Sequence, residues 1–134
     1  MSTIKELKLA QKAAAEQNAL IGELNGLVKD IDRCEKTLSD LKAILERTNN
    51  QYTGPRTTRQ DVDYLTVLLD CAKKKLYWEK QVASLQKRTP LILERLAAFM
   101  NDPKNPPPDA LRAQMLQALQ GIQTAMERLQ SAAS

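Results

Sequence analysis

The stretch Leu20 to Leu45, LIGELNGLVKDIDRCEKTLSDLKAIL, places apolar residues at alternating steps of four and three: Leu20, Leu24, Leu27, Ile31, Cys34, Leu38, Leu41, Leu45. That spacing keeps one side of an α-helix apolar and forms the seam of a coiled coil. A second row with the same spacing runs Tyr64, Leu68, Cys71, Lys75, Trp78, Val82, Leu85, Thr89, Ile92, Leu96, Phe99. Folding the two antiparallel about Thr53-Gly54-Pro55 sets Leu41 against Tyr64, Cys34 against Cys71, Leu27 against Trp78 and Leu20 against Leu85. In this register even the polar interruptions agree, with Gln17 opposite Thr89.

The fold class that follows is all-α: a long antiparallel helical hairpin, with a shorter third helix packing at its base as a three-helix bundle. The length of 134 residues suits one domain. Helix one is expected over about residues 2–48, ending at Asn49-Asn50. Helix two is expected over about residues 58–101. It opens on a double capping signal, Thr57-x-x-Gln60 and Thr58-x-x-Asp61, and Pro90 should kink it or interrupt it for one residue. The proline-rich segment 102–108 should be an extended connector into helix three, over about residues 108–131. That helix has its own apolar face (Leu111, Met115, Ala118, Leu119, Ile122, Met126, Leu129) and is expected to return along Gln81 to Phe99, where the alanine-rich start of helix one also packs.

Helix two carries more apolar surface than one seam can bury. Val62, Leu65, Leu69, Ala72 and Leu76 form a stripe roughly 100° round from the first. Ile21, Val28 and Ile44 similarly lie off the seam of helix one. An apolar stripe near the turn, beyond the expected reach of helix three, marks Val62, Leu65, Leu69 and Leu76 as candidate partner-binding residues.

The net charge of +4 is also localised. Residues 49–107 hold ten basic and six acidic groups, whereas the flanking segments are balanced. Lys73, Lys80 and Lys87 recur every seven residues and form a basic row, with Lys74, Arg88 and Arg95 on an adjoining strip. Such a row can follow an acidic surface, but no aromatic residues interleave with it, which disfavours nucleic acid.

Catalysis is not expected. The chain has no histidine, which removes the commonest general base and metal ligand. Its four glycines, at positions 22, 26, 54 and 121, form no phosphate loop. No cofactor or metal is expected, and no apolar run is long enough to span a membrane. Cys34 and Cys71 on seam positions suit buried, reduced thiols in the cytoplasm or nucleus.

The expected function is that of a non-catalytic interaction or scaffold subunit, joining another helical protein or a second copy of itself. The alternatives are a small adaptor for an acidic polymer (nucleic acid or an acidic cytoskeletal surface) through the basic row, and a self-contained homodimeric four-helix bundle.

Overall fold

A computed structural model describes residues 2–104 and 106–133. It contains three helices: α1 (Ser2–Gln51), α2 (Thr58–Met100) and α3 (Asp109–Ala133). The fold is all-α: α1 and α2 form the long antiparallel hairpin, and both α2 and α3 pack on α1.

The seam of α1 is the most deeply buried line in the molecule. Leu20, Leu24, Leu27, Ile31 and Cys34 are fully buried, and Leu38 and Leu41 nearly so. On α2 the buried residues are Cys71, Val82, Leu85, Thr89, Ile92 and Leu96, and on α3 they are Met115, Ile122, Ala125, Leu129 and Ala132. Burying each large aliphatic side chain contributes roughly 1.5–3 kcal/mol. This single stripe therefore supplies most of the cohesion between helices.

The hairpin register is one heptad away from the expected one. Cys34 lies against Trp78, its Sγ 3.9 Å from the Trp78 carbonyl oxygen, rather than against Cys71. Further pairs agree: Tyr64 donates its hydroxyl to Asn49 Oδ1 at 2.7 Å, Arg88 reaches Asp30 at 2.6 Å, and Arg95 reaches Glu23 at 2.5 Å. A heptad pattern cannot distinguish registers seven residues apart, because both bury the same stripes. Charge does not distinguish them either: in the expected register Arg88 would meet Glu23, and Arg95 would meet Glu16.

The turn breaks the tie. Gly54 adopts φ 88°, a conformation that costs a side-chain-bearing residue free energy. Arg56 donates to Asp61 Oδ1 at 2.7 Å and to the Tyr52 carbonyl at 3.0 Å, and its guanidinium lies 4.5 Å from the centre of the Tyr64 ring. Tyr52 and Tyr64 also meet, ring centres 5.6 Å apart. Tyr64 is thus held by the turn and bonded to Asn49 at once, which fixes how α2 starts along α1. The capping box at Thr57 and Gln60 is formed in both directions.

Two consequences follow from the slip. Leu9, Ala10, Ala13 and Ala14 do not meet the middle of α2: residues 3–12 are exposed throughout, and Leu9 is 62% exposed. Lys75 faces outward beside Glu79, at 4.0 Å, although its place in the apolar row of α2 set it in the seam.

The interruption expected at Pro90 does not occur, and α2 is one helix through it. Pro90 is exposed, so the Gln86 carbonyl that it cannot pair has access to water. One residue earlier, the buried Thr89 hydroxyl donates to the Leu85 carbonyl at 2.6 Å.

Helix α3 runs parallel to α1. Leu111 and the prolines 106 and 108 share a groove with Ala10 to Asn18, Gln114 and Ala118 share one with Ile21 and Val28, and Lys42 donates to the Ser131 carbonyl at 3.2 Å. The off-seam residues Ile21 and Val28 are what this helix covers. With no basic residue in its own last turn, α3 takes from Lys42 the positive charge that stabilises a helix C-terminus.

A double-mutant cycle tests the register. Arg95→Glu should cost about 1 kcal/mol or less, given that both partners are half exposed, and adding Glu23→Arg should recover it. Coupling of Arg95 to Glu16 instead, measured by urea unfolding, would place the hairpin one heptad away.

Candidate functional site: the outer face of helix α2

The stripe singled out on α2 lies in the open. Val62, Leu65, Leu69 and Leu76 are 57–61% exposed, and Ala72 between them is exposed too. Helix α3 does not cover them, because it lies on the flank of α1. Tyr77 and Leu91 extend the exposed apolar surface of α2 toward its C-terminal half.

Lys73, Lys80 and Lys87 are exposed along one edge of the same face. No ion pair or hydrogen bond to another group engages their ammonium groups among the described residues. Lys74, Arg88 and Arg95 differ. Lys74 pairs with Asp70 at 3.0 Å, Arg88 with Asp30 and Arg95 with Glu23. The basic surface therefore narrows to the three lysines, since the arginines serve the hairpin. Heptad spacing alone could have found this, because Glu23 and Asp30 repeat in step with Arg95 and Arg88.

The first turns of α1 also expose Ile4, Leu7 and Leu9. Leu9 lies well round the helix from Ile4 and Leu7, so these residues do not line up as a stripe. Sequence reasoning placed this segment in the base of the bundle; the register shift leaves it outside.

Thr48 bonds the Ile44 carbonyl at 2.7 Å, and no fully buried side-chain nitrogen or oxygen among the described residues lacks a partner. No group of three or more His, Cys, Asp or Glu among the described residues could hold a metal ion. No helix among them is long and apolar enough to cross a membrane. Cys34 and Cys71 are free thiols, both buried. Burial pushes the Cys34 thiol above its ordinary pKa, because the thiolate would lose its hydration.

Searched against known families, curated proteins and solved structures, the chain matches none of them.

Two outcomes are expected. Leu65→Gln with Leu69→Gln should change stability by about 0.5 kcal/mol or less at each site, because both side chains are already in water; a loss of several kcal/mol in urea titration would show them buried. The raised pKa of Cys34 favours the neutral thiol in the folded state. Below the ordinary thiol range this has no effect; as pH rises through that range the unfolded chain ionises first, so stability falls. Cys34→Ala should flatten that alkaline decline, read from unfolding midpoints on either side of the thiol range.

Proposed function

We propose that this chain is a non-catalytic interaction subunit, a scaffold or adaptor that docks another helical protein along the outer face of α2. The observation that carries the reading is the exposure of Val62, Leu65, Leu69 and Leu76 as one continuous stripe on a helix whose opposite side is already packed. Hydrating so many large aliphatic side chains in a row is unfavourable, and contiguous surfaces of this kind mark interaction sites. The hairpin contributes stiffness: the face sits on one unbroken helix of 43 residues, backed by the fully buried seam of α1. A reducing compartment, cytoplasm or nucleus, is the setting proposed, supported by the two free thiols.

The alternative adaptor, gripping an acidic polymer, draws support from the three unpaired lysines, yet three charges give only weak, salt-sensitive attachment. A homodimeric bundle would use the same leucines.

The test compares the tagged chain with its Leu65→Glu/Leu69→Glu variant in native extract. A protein recovered at fixed stoichiometry with the parent should be lost with the variant, while circular dichroism shows both equally helical. Recovery of that protein by both, or binding of nucleic acid that survives the substitutions, would contradict the reading.

A further inference from the structure

We infer that the partner of this face is an acidic amphipathic helix from another protein, an inference that rests on the docking reading above. Val62, Leu65, Leu69, Ala72 and Leu76 step by three and four residues, so they constitute a second coiled-coil seam on the side of α2 away from α1. Lys73 and Lys80 each follow a stripe position by four residues, at Leu69 and Leu76, and Lys87 continues the row one heptad beyond the stripe, which ends at Leu76 before Glu79. They hold the flanking position of that second seam, the one whose charges select partners. Arg59 and Thr66 complete the row toward the turn, so it contains no acid from Arg59 to Lys87.

The opposite edge supplies no free acid to answer it. Asp61 is held by Arg56, Leu68 is half-buried, Lys75 is basic and Val82 is buried. Self-pairing is therefore repulsive in either direction. An antiparallel copy sets the basic row against itself, and a parallel copy sets Lys80 against Lys75 of the second chain. Like charges across a seam act as negative selection. A foreign helix with leucine-type residues at its seam and Asp or Glu on its edge satisfies both features at once.

The probes are two synthetic amphipathic peptides three heptads long, with identical leucine seams. One carries Glu at all flanking positions and the other Lys. Binding to the chain, followed by fluorescence anisotropy, should favour the Glu peptide by about tenfold or more near 0.05 M salt, with the gap narrowing near 0.5 M. The variant Lys73→Glu/Lys80→Glu/Lys87→Glu should invert the preference, and Leu65→Glu/Leu69→Glu should abolish binding of both peptides.

Equal binding of the two peptides, lost in the leucine variant, would overturn the acidic partner and leave the docking face standing. Binding of neither would overturn both. Adsorption to phosphatidylserine–phosphatidylcholine vesicles through the same lysines and leucines, without peptide discrimination, would replace the helix with a lipid surface. Light scattering that shows a dimer dispersed by the leucine variant would replace it with a second copy.

Discussion

One stripe of α1 is buried against two helices at once, and the arrangement of the chain depends on it. Leu20 to Cys34 can be excluded from water completely only because α2 closes one flank of the stripe and α3 the other. Neither helix could do this alone, since a two-helix seam leaves its edges wet, as the half-buried Leu45, Tyr64 and Leu68 show near the turn. Helix α1 is the centre of the molecule, and α2 is a peripheral helix with one side free.

That placement gives α2 its chemical character. Its inner side is spent on the seam, and Arg88 and Arg95 are spent on holding the hairpin to Asp30 and Glu23. What remains outward is an aliphatic line edged by lysines that no acid among the described residues pairs with. In the docking proposed above, apolar contact would supply affinity and the lysine edge selectivity, a division common to helix-in-groove and coiled-coil recognition.

Much of this was legible in the sequence, and the failures have definite causes. Most seam residues on the three helices follow from spacing, because burial and the heptad pattern express the same geometry, but Lys75 of the expected row is exposed and the buried Ala125 and Ala132 of α3 lay outside its expected apolar face. The capping box at Thr57 and the outward stripe on α2 were readable for the same reason. The register was not. Apolar rows and the acids at positions 16, 23 and 30 all repeat every seven residues, so two alignments satisfy them equally. The deciding contacts, Tyr64 with Asn49 and Arg56 with Tyr52, belong to an irregular turn whose conformation no periodicity encodes. Helix α3 posed a similar degeneracy. Both long helices carry a second apolar stripe; that of α2 was expected to stay uncovered, but spacing did not reveal that α3 would settle on Ile21 and Val28 of α1. Pro90 illustrates the reverse case: the break it was expected to make is absent, and its exposed position leaves the freed carbonyl to water.

Hydroxyl-radical footprinting of the dilute, isolated chain tests the uncovered face most directly. Leu65, Leu69 and Leu76 should oxidise as fast as the exposed Leu91, while Leu24 and Leu27 stay protected. Protection of Leu65 and Leu69 in a chain shown to be monomeric would contradict this arrangement, because some part of the same molecule would then cover them.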